Sequence, residues 1–362
     1  MKNKKQKLIH LFEPYHDKQE INQISQIIKS KFWASGSGSG YVSKFEETFC
    51  DYLNAKNVVA VNSGTAALQL SLNALNVSQS EVLIPTMTFV STAHAAVTNN
   101  AIPKFVDVDE STLCIDLDDL EKKITKKTKV IIPVHFGGYP CDLSKLNKLK
   151  NDYGLHIVED AAHACGATYN KKKIGSHSEF VCFSFHPVKN LSMPTGGAIS
   201  INAKTTADFK SLRWCGITNR KGSYYDVDKL GWNFYMNEIS AGIGLIQLKR
   251  LDKQNKRRKQ IAKKYCEKIN LDKKMPFSND CSYHLYWIRV KNRDSFMKKM
   301  LLNGIETGIH YKPVHHMSFY KNSDKLKTCD NIWKELVTLP LHLNLSEHEI
   351  EKIISSVNQY AL

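Results

Sequence analysis

Short runs of β-branched and other apolar residues, each bounded by turn residues, recur along the first part of the chain at intervals too long for hairpins. They lie at Val58–Val61, Glu81–Ile84, Lys104–Val108, Lys129–Val134, His156–Glu159, Phe180–Phe185 and Ala198–Ile201. Stretches of helical period fall between several of them, notably Thr65–Leu75 and Leu143–Tyr153. Strands that alternate with helices need crossover connections and are covered on both faces, so the pattern predicts an α/β domain built on a mainly parallel sheet of seven strands.

Beyond Gly231 the texture changes. A long helical stretch runs from Glu238 to about Ile269, with apolar positions Ile239, Ile243, Ile246 and Leu248 early and basic residues late. A strand-like run, Tyr283–Val290, an amphipathic helix, Asp294–Asn303, and a closing helix, Ser346–Tyr360, follow. These predict a second, smaller α+β domain, giving residues 1–245 as the large domain and 246–362 as the small one. No internal repeat or low-complexity linker interrupts them.

Composition narrows the class. At 42% hydrophobic and 24% charged, the chain has an ordinary globular make-up. No apolar run approaches the roughly 20 residues that span a bilayer. The N-terminus is basic like the start of a secretion signal, but the apolar stretch after it, Leu8–Phe12, is short and ends at Glu13 and Pro14, so the expected location is cytoplasmic. Nine cysteines scattered from Cys50 to Cys329, with no Cys-x-x-Cys pair, suggest neither a disulfide framework nor a zinc site, and no metal is expected. The net charge of +16 raises the question of a nucleic-acid partner. Only seven of the 51 basic residues are arginine, the side chain that phosphate and base readout favours, so solvated lysine faces are expected instead. A basic surface would still attract an anionic small substrate.

Three constellations could carry chemistry. Asn62-Ser-Gly-Thr-Ala-Ala-Leu68 joins a strand end to a helix, whose first N–H groups form a phosphate site. Alone it reads equally as Ser63 or Thr65 capping a helix. Val158-Glu-Asp-Ala-Ala-His163 puts two acids where the strands of a parallel sheet meet their ligand crevice. A buried carboxylate there needs a partner, and a pyridinium N–H would serve; as structure alone, Asp160 would be a helix cap and His163 a core histidine. Phe183-Ser-Phe-His-Pro-Val-Lys189 again follows a strand, and burial could hold the lysine amine neutral as a nucleophile requires.

One anion cradle, one carboxylate and one lysine at successive strand ends match the phosphate, ring nitrogen and aldehyde of pyridoxal phosphate. In order and wording these motifs resemble the DegT/DnrJ/EryC1/StrS sugar aminotransferases, which implies the fold-type I architecture of aspartate aminotransferase. The resemblance covers nearly the whole chain. Thr86-Met-Thr-Phe89-Val is similar to the family segment whose aromatic residue stacks on the cofactor ring, Gly231-Trp-Asn233-Phe-Tyr-Met236 to its Asn-x-Arg-Met segment, and His310-Tyr-Lys-Pro-Val-His315 to its late substrate-side motif. Carried over, the resemblance implies a Schiff base on Lys189, Asp160 on the ring nitrogen and His163 beside the ring hydroxyl. It gives Ser63, Gly64, Thr65 and Ser184 to the phosphate, Phe89 to stacking, and His310 and Tyr311 to the substrate. Asn233 would reach the phosphate from a second subunit, which implies a homodimer with shared sites.

Two departures stand out. The family's Lys-x-x-Thr-Thr-Gly-Glu-Gly-Gly is here Lys189-Asn-Leu-Ser192-Met-Pro-Thr195-Gly-Gly197, and the arginine expected two residues after Asn233 is Tyr235. The expected activity is transfer of an amino group from L-glutamate to a keto sugar nucleotide, a 4-keto-6-deoxyhexose first, through a pyridoxamine phosphate form of the cofactor. The alternatives are sugar deoxygenation, which the family runs with histidine in place of the lysine, and a basic nucleic-acid-binding protein on an inactivated scaffold.

Overall fold

A computed structural model describes residues 7–205, 208–320 and 325–361. The first six residues, most of the basic N-terminal stretch, lie outside the described residues. Seven strands form one sheet: β1 (Asn57–Val61), β2 (Glu81–Pro85), β3 (Ile102–Val106), β4 (Thr128–Ile131), β5 (His156–Asp160), β6 (Phe180–Ser184) and β7 (Gly197–Ile201), in the spatial order β1-β7-β6-β5-β4-β2-β3. Pairing from β6 through β5, β4 and β2 to β3 is parallel, and β7 runs antiparallel to both β1 and β6. This is the α/β architecture that the strand and helix pattern predicts, and all seven expected strands are present.

Of the strand boundaries that differ from the sequence pattern, the two largest shifts involve proline. β4 stops at Ile131 rather than Val134 because Pro133 has no N–H to donate, and its carbonyl instead accepts from Asp160 N at 2.9 Å. β3 starts at Ile102 and contains Pro103, which is tolerated because β3 is the edge of the sheet.

The alternation of side chains along a strand decides what faces the core and what faces the crevice. On β6, Phe183 packs edge-on against Phe49 of a helix at Tyr41–Leu53 (ring centroids 5.1 Å, 81°), and Phe185 packs against Phe45 of that helix (5.4 Å, 83°). Ser184, between them, turns to the opposite face. On β5, Glu159 meets His135 in a fully buried contact (Oε2 to Nε2, 2.7 Å) while Asp160 turns the other way. Only one of the two adjacent acids can therefore enter the crevice. At the other edge of the sheet, β1 exposes the N–H and C=O of Ala60 to no further strand. The carboxylate of Glu46 accepts from Ala60 N at 2.9 Å and the buried Arg213 donates to Ala60 O at 2.6 Å, and the two side chains form an ion pair.

The 31-residue helix Glu238–Lys268 is started by Asn237, whose side chain accepts from Ser240 N at 2.8 Å. The expected domain boundary at 245/246 falls inside this helix. Its far half belongs with the C-terminal part: Tyr265 donates to Pro340 O at 2.8 Å and Arg258 to Leu341 O at 2.8 Å. That part contains an antiparallel strand pair, Tyr286–Arg289 with Leu336–Leu339, and helices Arg293–Leu302, Lys327–Glu335 and Glu347–Tyr360. The N-terminal segment also bonds there, Ile9 N to Gly304 O and Glu306 N to Ile9 O, each at 2.9 Å. Among the described residues no helix is long and apolar enough to cross a membrane.

Candidate active site

The ends of β1, β5 and β6 open onto one cavity of about 300 Å³. Ser63, Gly64, Thr65, Phe89, Asp160, His163, Ser184, Lys189, His310 and Tyr311 all line it, so the structure brings together ten residues singled out in the sequence. Asn233 and Tyr235 do not line this chain's cavity. They flank the β1 end instead: Asn62 Nδ2 donates to Asn233 O at 3.3 Å and Tyr235 forms an isolated bridge with Val61.

The cradle is built by close backbone approach. Ser63 caps the helix Gly64–Ala74, its hydroxyl accepting from Ala66 N at 3.1 Å, and the first N–H groups of that helix have no partner within it. A Cβ on Gly64 would stand 2.9 Å from Cβ of Ser184, and one on Gly197 would stand 2.4 Å from the carbonyl carbon and oxygen of Ser63. Glycine at these two positions lets the ends of β1, β6 and β7 converge around the helix start.

Asp160 sits in the floor of the cavity. Its carboxylate accepts from Thr92 Oγ1 at 2.8 Å and from Ala162 N at 3.1 Å, which leaves acceptor capacity for one more donor. Burial raises its pKa, against the pull of Thr92, Ala162 and the Lys189 ammonium. Lys189 is partly buried in the cavity wall, and desolvation lowers its amine to about 8, with Asp160 opposing the shift. At that value roughly a tenth of the amines are neutral at pH 7, against about one in three thousand for an ordinary lysine. Among the described residues Lys189 makes no ion pair; its nearest polar contact is His284 Nε2 at a long 3.4 Å.

Histidines form the remaining wall. Burial holds His163 well below the usual range, and its Nδ1 accepts from Gly137 N at 3.2 Å, so the ring is neutral with its proton on Nε2, donating to Tyr311 OH at 3.0 Å. His310 is pushed down to about 4 by burial and bonds Thr338 Oγ1 through Nδ1 at 2.8 Å. His284 and Phe12 were not legible as site residues. His284 lies 4.5 Å from His163, centroid to centroid, and Phe12 stacks on its other side at 5.5 Å and 11°. Both reach the cavity from distant parts of the chain, and neither sits in a motif. The altered segment after the lysine is knitted into the structure: Ser192 donates to Lys189 O and Thr195 to Asn62 O, each at 2.7 Å.

Known proteins supply the context for this geometry. The model of the DegT/DnrJ/EryC1/StrS aminotransferase family matches residues 14–358. The spore coat polysaccharide biosynthesis protein SpsC of Bacillus subtilis is 33% identical over 95% of each chain, and the GDP-perosamine synthase of Vibrio cholerae is 30% identical over 98% of this chain and 99% of its own. Among solved structures, Spr1654 of Streptococcus pneumoniae in its PMP form matches with a TM-score of 0.91 at 29% identity over 98% of both chains, and it is also solved in its PLP form. Helicobacter pylori PseC, an aminotransferase involved in the biosynthesis of pseudoaminic acid, matches with a TM-score of 0.90 at 26% identity over 98% of this chain and 99% of its own.

A neutral amine is the reactive form toward an aldehyde. Capture of an added aldehyde by the apoprotein, followed by absorbance, should therefore rise with pH through a midpoint near 8. Asp160→Asn removes the charge that raises the Lys189 pKa, so the midpoint should move to lower pH. A midpoint in the ordinary lysine range would show that the amine is not desolvated in solution.

Proposed function

Because the chain belongs to the DegT/DnrJ/EryC1/StrS aminotransferase family, we propose that it is a pyridoxal-phosphate enzyme moving an amino group from L-glutamate to a keto sugar nucleotide, a 4-keto-6-deoxyhexose giving a perosamine-type product. The observation that carries the assignment of residues is the convergence of Lys189, Asp160 and the Gly64 cradle on one cavity at three strand ends. The residues present fit the cofactor. The cradle that a Cβ would fill suits a phosphate, the buried carboxylate with spare acceptor capacity suits a protonated ring nitrogen, and the partly buried amine, without an ion-pair partner among the described residues, suits an aldehyde.

In this proposal Ser63, Gly64, Thr65 and Ser184 hold the phosphate, with helix N–H groups and hydroxyls as donors. When bound, the cofactor supplies an electron sink for the carbanion that forms at the amino-acid carbon. The Asp160 carboxylate holds a proton on the ring nitrogen, and Thr92 and the Ala162 amide fix its orientation. With the cofactor bound, Lys189 Nζ would take the proton from the donor's α-carbon as base and then give it back as acid. An amine shifted to about 8 suits both directions near neutral pH. His163 and Tyr311 present a neutral imidazole and a hydroxyl to the ring, and Phe89, more than half exposed at the cavity mouth, covers its face. His310 and Tyr235 are assigned to the substrate side. The proposed assembly is a homodimer in which Asn233 serves the partner's phosphate; its position outside this chain's own cavity agrees with that role.

The substrate is tested by supplying a panel of 3-keto and 4-keto sugar nucleotides with glutamate and following amino-sugar formation by mass spectrometry. The 4-keto-6-deoxyhexose should be aminated, and Asp160→Asn should bind cofactor yet lose about 100-fold or more in kcat. Turnover unchanged in that variant would assign the ring nitrogen to another residue, and no amination of any keto sugar would overturn the reaction. Shared sites are tested by mixing inactive Lys189→Ala and Asn233→Ala proteins. With half the dimers mixed and one intact site in each, activity should return to roughly a quarter of wild type; no recovery after verified subunit exchange would place Asn233 outside the partner's site.

A further inference from the structure

Away from the cavity, three potential metal ligands converge between the segment that follows Tyr311 and the helix Lys327–Glu335. The Nε2 atoms of His315 and His316 lie 3.0 and 2.8 Å from the same carboxylate oxygen of Asp330, and one donor atom from each residue falls within 4.8 Å of the other two. Among the described residues this is the one grouping of three or more His, Cys, Asp or Glu side chains with that spacing. The Cys-x-x-Cys pattern sought in the sequence could not reveal it, because Asp330 is brought to the adjacent histidines by the fold.

Both elements are fixed in place. Val314 N donates to Thr86 O at 2.9 Å, anchoring the histidine segment to the end of β2. Asp107, just past the end of β3, accepts from Thr328 N at 2.9 Å and Cys329 N at 2.8 Å, anchoring the first turn of the helix that carries Asp330. His315 is buried, and its Nδ1 lies 2.6 Å from the hydroxyl of Thr86. A hydroxyl both donates and accepts, so Thr86 can donate to Nδ1 when Nε2 bears the proton and accept from Nδ1 when Nε2 gives its lone pair to a metal. That is the outer partner a ligating histidine requires. Trp333 closes one side, its ring 5.8 Å from His316 at 77°. His316 and Asp330 remain about one-third exposed, which leaves a path for an ion.

We propose that His315, His316 and Asp330 form a site for a divalent transition-metal ion of the zinc class. Two imidazoles and one carboxylate are the donor set of three-ligand zinc sites, with water in the fourth position. Bonds of about 2.0–2.1 Å in a tetrahedron put ligand atoms roughly 3.3 Å apart, so the 2.8 and 3.0 Å separations need to open by only a few tenths of an ångström. The ion would replace the two protons now shared with Asp330 and tie the histidine segment, which carries His310 and Tyr311 into the cavity wall, to the helix Lys327–Glu335. It takes no part in the proposed amino transfer.

The test uses the untagged full-length holoprotein, stripped with a chelator and titrated with Co²⁺ and Zn²⁺. Co²⁺ should bind at one per chain with the visible bands of a tetrahedral nitrogen and oxygen site, and Zn²⁺ should displace it. His316→Ala and Asp330→Asn should each abolish this binding while keeping the metal-free Tm of the parent. If either variant fails to fold, Thr86→Val provides the second measurement: the affinity should fall about 10- to 100-fold through loss of the outer partner. Absence of stoichiometric binding, sulfur-to-metal charge-transfer bands, or affinity unaltered in the variants would overturn the proposal and leave two imidazoles hydrogen-bonded to a carboxylate.

Discussion

Lys189 is a partly buried, desolvated amine, with a carboxylate in its electrostatic field but, among the described residues, no ion-pair partner in contact. Burying such a group costs stability, and proteins ordinarily neutralise it or pair it. Here the fold retains it by surrounding it with neutral histidines, His163, His284 and His310, each driven below its usual range by the same burial. The lysine charge lowers all three histidines further, so the rings stay neutral beside it. The cavity is thus built around one titratable amine, with Asp160 the one acid lining it among the described residues.

That arrangement follows from the sheet. Period-two alternation sends Asp160 and Ser184 to the crevice while Glu159, Phe183 and Phe185 go to the opposite face. The antiparallel β7 brings Gly197 to the register of both Val61 and Ser184, where lack of a side chain allows the cradle around the start of helix Gly64–Ala74 to close. Glu46 and Arg213 satisfy the outer edge of β1 and so steady the strand from which the cradle departs. Tolerance of the unusual Ser192–Thr195 segment has a similar basis. Its hydroxyls bond to the backbone of Lys189 and Asn62 and secure the lysine loop without touching its amine.

Local patterning made much of this legible. The seven strands, the helix at Leu143–Tyr153 and the long helix from Glu238 follow the residue pattern, and the three chemical motifs sit at strand ends where a parallel sheet collects its ligands. Helices Lys18–Ser30 and Tyr41–Leu53 are also legible locally, since both are amphipathic and the first opens on an Asp17–Glu20 capping box. Less visible were features set by tertiary contact. Phe12 and His284 enter the cavity from sequence contexts that read as a short apolar stretch after a basic N-terminus and as a strand start. The proximity of Asp330 to His315 and His316 depends on two anchoring sets of backbone bonds that no spacing rule encodes.

The central claim is that Lys189 is the residue that carries the cofactor, and it can be examined without knowing the sugar. The protein is loaded with pyridoxal phosphate, reduced with borohydride, digested and analysed by mass spectrometry. The account predicts one phosphopyridoxyl group per chain on the peptide containing Lys189, and its loss in Lys189→Arg. Label on a different lysine, or stoichiometric label surviving that substitution, would contradict it.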